Sequence, residues 1–413
     1  MLMSIFTVYA TSNLVGSPGK MWELLMDAGK LHPVDGNADG SYLTMKSVQG
    51  GYVGLIFVGS GFAAAVDSQL YVPPVPFLRA PVSHSDFSFQ KAIAADPAST
   101  LGGYILGGSC WFTIPFVMAT TFGLTAAATE HLPQFPTYPN RMNSYETATG
   151  MAMPYAAITV LGKGGGIAIL LMVFMAVTSA MSAETMATAA LMTYDFYHAY
   201  IQPKASGKQL IQFSHFVVVG FGILVAGIAA GLNHAGFSVN YLTTCIGIVV
   251  DSAIVPMACT LLWKKQSTIA FVLSPILSSC AAIIAWLLTA HTQYGAVTLA
   301  TTSENLPLVA GNMMSLTGPL LLTPLFSYIW PADFDWDLWK QIKVIEDDDP
   351  LVDSEIREDV PDEEVHTHDI TPEEDSRLLK ARNRAAILSV FMALCYLVFW
   401  STPMYGSGYS THL

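Results

Sequence analysis

GIAILLMVFMAVTSAMSAETMATAALMTYDFY, from Gly166 to Tyr197, is the stretch on which the fold turns. A helix needs roughly 20 residues to cross a bilayer. This stretch is longer than that, yet its middle is crowded with small and hydroxylated side chains. Thr178, Ser179, Ser182, Thr185 and Thr188 stand beside Ala176, Ala180, Ala183, Ala187 and Ala190. The alanines recur three or four residues apart and share one helical stripe, and a stripe of small residues lets a second helix come close. Glu184 sits in the same region. A carboxylate at mid-membrane costs about 2.5 kcal/mol or more unless it faces protein, water or an ion. Two readings stay open. The helix packs tightly, its hydroxyls satisfied on carbonyls one turn back, or it forms one wall of an ion pathway.

The rest of the chain fits a membrane setting. Of 413 residues, 52% are hydrophobic and only 12% charged, and the mean hydropathy is +0.46. Those values exclude an ordinary soluble globular protein and give an all-α polytopic membrane protein. The net charge of -13 describes one segment, because Glu346–Asp375 holds about half of the acids. Cys110, Cys245, Cys259, Cys280 and Cys395 lie in apolar stretches without short pair spacing, so they read as buried hydrophobes rather than a disulfide frame or a metal site. His366 and His368 read as a solvated pair. No Ser/His pair lies inside a span and no HExxH occurs, which argues against an intramembrane enzyme. Nothing in the charge pattern points to nucleic acid.

About nine apolar segments can be marked: Met1–Val15, Tyr52–Leu70, Gly102–Thr125, Ala156–Tyr194, Phe213–Leu232, Val239–Leu262, Ala270–Ala290, Leu306–Trp330 and Ala385–Trp400. The fourth is a short lead-in plus the central span, with a re-entrant turn expected at Lys163–Gly166. Pro115, Pro256, Pro275, Pro319 and Pro324 fall inside spans, where proline makes kinks that neighbouring groups re-satisfy. Lys204 and Lys208 follow the central span, and Lys264 and Lys265 follow the sixth. The positive-inside rule puts both loops in the cytoplasm. By alternation, the loops Gly16–Gly51 and Ala128–Tyr155 face outside. Asp333–Arg384, acidic and broken by Pro350, Pro361 and Pro372, is expected to be a solvated cytoplasmic loop. The organisation is then a membrane core over 1–332, the acidic loop over 333–384, and a last span with a tail over 385–413. Besides Glu184, two acids stand in spans: Asp67, near the end of the second, and Asp251, inside the sixth. Trp111 lines a pocket or faces lipid.

At this point the motifs become recognisable. AVTSAMSAETMATAALMTYDFY resembles the sodium-ligand helix of the sodium:solute symporter family. FTVYATSNLVGSPGKMWELL, GNADGSYLTMKS, YILGGSCWFTIPFVMATTFGL and FPTYPNRM resemble its urea active transporter branch, of fungal and plant type. The resemblance implies two inverted repeats of five helices with a midplane site. It implies symport of urea, and of polyamines as a further substrate, at the plasma membrane, driven by a proton or sodium gradient and without a cofactor. Partners are then membrane lipid and a small neutral solute.

Against that family the chain is expected to be truncated at both ends, starting near the fifth core helix. The competing class is therefore a non-transporting or regulatory membrane fragment. Tyr71–Ser88 interrupts motifs that are nearly contiguous in the family. The resemblance places ion ligands at Ala176, Ser179 and Ala180. Ser179 keeps its hydroxyl and the Ala180 position lacks one, which Thr178 or Ser182 is expected to replace. Glu184 and Asp67 are the candidates for proton coupling, and Trp111 for lining the substrate site.

Overall fold

The computed structural model describes residues 12–44, 46–70 and 117–333, with scattered residues between 380 and 395. The expectations for Met1–Val15 up to residue 11, for Tyr71–Ser88, for Trp111 and Pro115, and for 334–379 lie outside these residues. The described part is helical, and five helices are long and apolar enough to cross a membrane: Lys163–Ile201, Gly207–His234, Val239–Thr260, Thr268–Tyr294 and Asn305–Ile329. They coincide with the fourth to eighth expected segments.

The chain enters through α1 (Pro18–Leu31), where proline opens the helix and the Ser17 hydroxyl accepts from the Lys20 N–H at 3.2 Å. Helix α2 (Val48–Leu70) follows, then the apolar α3 (Val117–Thr129), the short α4 (Ser144–Ala148) and α5 (Ala152–Leu161). The expected re-entrant turn at Lys163–Gly166 is instead a sharp corner one residue earlier, with those four residues already helical. Gly162 turns the chain at φ 63°, ψ −148°, a conformation closed to residues with a Cβ, and α6 (Lys163–Ala190) starts immediately. At Gly165 the backbones of α5 and α6 meet so closely that a Cβ would collide with the Ala157 carbonyl. Met118, Phe122 and Ala126 of α3 join Phe135, Ala156, Ala157 and Ile169 in one apolar cluster beneath this corner.

Beyond Ala190 the central helix widens into π turns over Leu191–Ile201. Tyr197 stacks on Phe213 with ring centroids 4.1 Å apart, and its hydroxyl donates to Gln202 at 2.7 Å, so the widened end is anchored to the next helix. That helix, α7 (Gly207–His234), begins six residues before the apolar run because the Gln209 side chain accepts from the Ser206 N–H.

A second group packs around α12. The sixth span divides into α8 (Val239–Val250), a 3₁₀ turn at Asp251–Ala253, and α9 (Ile254–Leu262). Pro256 explains the break: it brings no N–H, and its ring crowds the carbonyl four residues back, at Ser252. Val249, whose carbonyl lies at the break, accepts from the hydroxyls of Ser252 and Ser279, each at 3.0 Å. Helix α10 (Thr268–Tyr294) is capped by Ser267 and closed by left-handed Gly295. A one-turn helix, α11 (Leu299–Thr302), leads into α12 (Asn305–Ile329). The most extensive pairing in the described chain is α10 with α12, followed in this group by α2 with α8 and α2 with α12. Gly311, Ser315 and Gly318 give α12 a face of small residues. A Cβ at Gly311 would stand 2.9 Å from Ile248 Cδ1 and 3.0 Å from Trp286 Cβ. Ile56, Ile248, Ala282 and Leu308, one from each of α2, α8, α10 and α12, close the apolar part of this core.

Five consecutive crossings alternate, so the lysine-bearing connections 202–206 and 263–267 fall at one end. Lys264 pairs with Asp333 at 3.1 Å, which brings the start of the acidic segment to that same end. At the other end Asn305 donates to Gln49, and Arg141 reaches the Tyr42 hydroxyl at 3.4 Å. Arg141 also donates to Glu130 at 3.0 Å, while the other Glu130 oxygen accepts from the Met142 N–H. Partial burial works against the charged guanidinium, but the Glu130 hydrogen bond and charge outweigh it and raise the Arg141 pKa.

Candidate functional site

The central helix presents its candidate residues on an open surface. Ala176, Thr178, Ser179, Ala180, Ser182 and Glu184 are all exposed among the described residues, where α6 packs on α5, on α7 and on its own π-helical end, and joins α3 in one apolar cluster through Ile169 near its start. Its hydroxyls turn inward on the helix: Thr178 donates to the Phe174 carbonyl at 2.7 Å, Ser182 to Ser179 at 2.9 Å, and Thr185 to Met181 at 2.6 Å. Ala176, Ser179 and Ala180 occupy successive turns of one face, with Glu184 a turn further on. The structure thus groups these residues, and among the described residues no second ligand-bearing element is set against them. Asp67 belongs to α2, with its side chain outside the described part, and Trp111 lies outside altogether.

The buried polar groups gather elsewhere, at the break in the sixth span. Asp251 and Asn312 are both 0% exposed. Gly59 of α2 and Gly247 of α8 flank the carboxyl: an added Cβ would stand 3.2 Å from Oδ2 at the first and 3.0 Å from Oδ1 at the second. The same point beside Gly247 is 2.8 Å from Ser60 Cβ and closer still to Asn312 Oδ1. Four segments, α2, α8, the 3₁₀ turn and α12, therefore converge on a spot that glycine alone leaves open. The Asn312 amide nitrogen donates to the carbonyls of Thr244 at 3.1 Å and Leu308 at 2.7 Å, which fixes the amide and leaves Oδ1 in the space beside Gly247. Asn312 Oδ1 and Ser315 Oγ are buried without a hydrogen-bond partner among the described residues. On the far side of the break the Ser252 and Ser279 hydroxyls lie 2.7 Å apart.

Of this group only Asp251 stood out in the sequence, as an acid in a span. Asn312, Ser60 and Gly247 did not. An amide within an otherwise apolar helix, flanked by Gly311, Ser315 and Gly318, was the available signal.

Comparison with known proteins places this architecture. The model of the sodium:solute symporter family matches residues 4–277, which include the central helix and the broken span. The chain belongs to the sodium:solute symporter family. It is 38% identical to a probable urea active transporter 1 of Schizosaccharomyces pombe, over 99% of this chain and 56% of the relative. To the urea active transporter of Saccharomyces cerevisiae it is 36% identical, over 99% of this chain and 60% of the relative. To a urea-proton symporter of Oryza sativa subsp. japonica it is 35% identical, over 87% and 48%. The chain spans about half the length of these curated relatives. No solved structure matches. Asn312 lies beyond the family match, so the pairing of Asp251 with Asn312 joins a family helix to one outside the matched region.

Proposed function

We propose that the full-length carrier containing this sequence takes up urea across the plasma membrane by symport with a proton. The observation that carries this reading is the likeness, over 87–99% of the chain, to proteins named urea active transporter or urea-proton symporter. Those names speak for urea and for none of the polyamines. Urea is neutral and small, so its site must supply hydrogen-bond donors and acceptors, while the ion gradient drives accumulation.

Within that carrier, residues 1–332 form the transport core and 385–413 a last span with its tail. Residues 333–384 form a cytoplasmic loop, a side supported by the lysines of the 202–206 and 263–267 connections and by the Lys264–Asp333 pair. The exposed face of α6 is the wall of the ion path. Ala176, Ser179 and Ala180 offer the ligand positions, Thr178 and Ser182 the nearby hydroxyls. Glu184 and Asp67 take part in proton coupling, and Trp111 lines the substrate route. The exposure of this face supports the reading, since a stripe of small and hydroxylated residues is suited to a partner helix or an ion. Uptake of labelled urea by the full-length protein in a host lacking urea uptake, at varied pH and sodium, tests the proposal. Saturable uptake that rises with the inward proton gradient is expected; a purely sodium-dependent uptake, or none, overturns it.

A further inference from the structure

We infer that Asp251 and Asn312 together form a proton-binding site, in which a protonated Asp251 carboxyl donates to the Asn312 side-chain oxygen. The inference rests on the reading of the protein as a proton-coupled carrier and adds a place where the proton is held.

Asn312 carries the argument. Its amide nitrogen is committed to two backbone carbonyls, of Thr244 and Leu308, and neither could accept from the amide oxygen were the group flipped. Oδ1 therefore faces the space beside Gly247, into which Asp251 Oδ1 also projects. An amide oxygen and a carboxylate oxygen are both acceptors, and two acceptors bordering one small buried space are best served by a donor between them. A protonated carboxyl is that donor. It turns the Asn312 oxygen, buried and without a partner among the described residues, into a satisfied one.

Size decides against larger occupants. A single added methyl at Gly247 would already collide with Asn312 Oδ1, leaving no room for urea. A hard metal cation asks for a cage of several oxygens; among the described residues this spot offers the side-chain oxygens of Asp251 and Asn312 and the Ser60 hydroxyl, which is itself engaged on the Ile56 carbonyl. The site is also placed to report a conformational change. Asp251 occupies the turn where the span is broken, and Ser60 and Gly59 on α2 close over it. Gain or loss of the proton alters a contact shared by α2, α8 and α12. Among the described residues, the titratable side chains that α8, α9 and α10 carry within these spans are the buried Tyr241 and half-buried Cys245 on α8, half-buried Cys259 on α9 and exposed Cys280 on α10.

The test uses Asp251→Asn and Asn312→Asp in the full-length carrier. Asp251→Asn keeps the size, and its amide can donate permanently to Asn312, mimicking the protonated state. It should reach the cell surface and exchange urea at a rate that does not vary with pH, while the inside-to-outside ratio of urea falls to unity. Asn312→Asp sets two carboxyls face to face, and one proton is then held more tightly. Its half-maximal uptake should move to higher pH.

Infrared difference spectra of the purified protein between acid and neutral pH give a readout independent of transport. Wild type should show a protonated-carboxyl band that is absent in Asp251→Asn. The band's loss would support the site even if the carried solute proved not to be urea. An unchanged band in Asp251→Asn, or wild-type pH dependence of uptake in both variants, overturns the inference. A change confined to sodium dependence overturns it as well.

Discussion

Substituting Gly247 by alanine puts the convergence of four segments to a direct test. In a helix interior the change should help, since alanine is favoured over glycine by roughly 1 kcal/mol. Here the new methyl would stand 2.8 Å from Ser60 Cβ, 3.0 Å from Asp251 Oδ1 and closer again to Asn312 Oδ1. None of these can retreat freely. Asn312 is tied to two carbonyls, and Ser60 donates to the Ile56 carbonyl at 2.9 Å. Overpacking of this kind costs about 1–3 kcal/mol, which outweighs the propensity gain and leaves a net loss of up to about 2 kcal/mol. Gly222 on α7 is the matched control, because an added Cβ there meets nothing within 4 Å. Thermal unfolding of the purified protein in one detergent, followed by circular dichroism, should give a lower midpoint for Gly247→Ala and an equal or higher one for Gly222→Ala. A Gly247→Ala protein as stable as wild type would refute the close approach of α2, α8 and α12.

Leu308→Ala removes a side chain that is 1% exposed and packed with Ile56, Ile248 and Ala282, so unfolding experiments should register a loss of about 2–5 kcal/mol. Glu130→Gln weakens the hold on Arg141 and Met142, and trypsin should then cut after Arg141 several-fold faster; an unchanged rate would mean that the pair does not anchor this loop. Because its pKa is raised, Arg141 contributes its share of that anchor throughout the physiological range and loses it only as pH rises into the strongly alkaline region. In the full-length carrier Ser179→Ala should raise the half-saturating ion concentration without loss of surface protein, and Glu184→Gln should impair accumulation more than downhill exchange. Wild-type ion and pH dependence in both, at equal abundance, would remove α6 as the coupling wall.

The crossings were legible in the sequence because lipid imposes a long apolar run on each. The expected Ala270–Ala290 and the observed Thr268–Tyr294 differ only by polar turns at the ends, where Ser267 and Gly295 set the boundaries. Pro256 was legible as a kink, although the distortion lies upstream at Asp251–Ala253, since proline disturbs the turn before it. The corner at Gly162 was placed one residue late: a run of glycines shows where a chain can turn, while packing of α5 on α6 selects the residue. The polar centre was legible only in part. Asp251 announces itself as an acid in a span, but its neighbours Ser60 and Asn312 come from distant segments. No local pattern couples residues so far apart, and only the meeting of α2, α8 and α12 does so. For α6 the sequence and the described structure agree on a stripe of small and hydroxylated residues, and the family resemblance alone gives that stripe an ion to bind.

The most direct test of the whole account is concentrative uptake of labelled urea by the full-length protein in a host without urea uptake, measured as the external pH is stepped at constant sodium. The account predicts accumulation above the external concentration that collapses when a protonophore removes the proton gradient and is unaffected when sodium is replaced. Accumulation that survives the protonophore and disappears with sodium, or equilibration without accumulation, would contradict it.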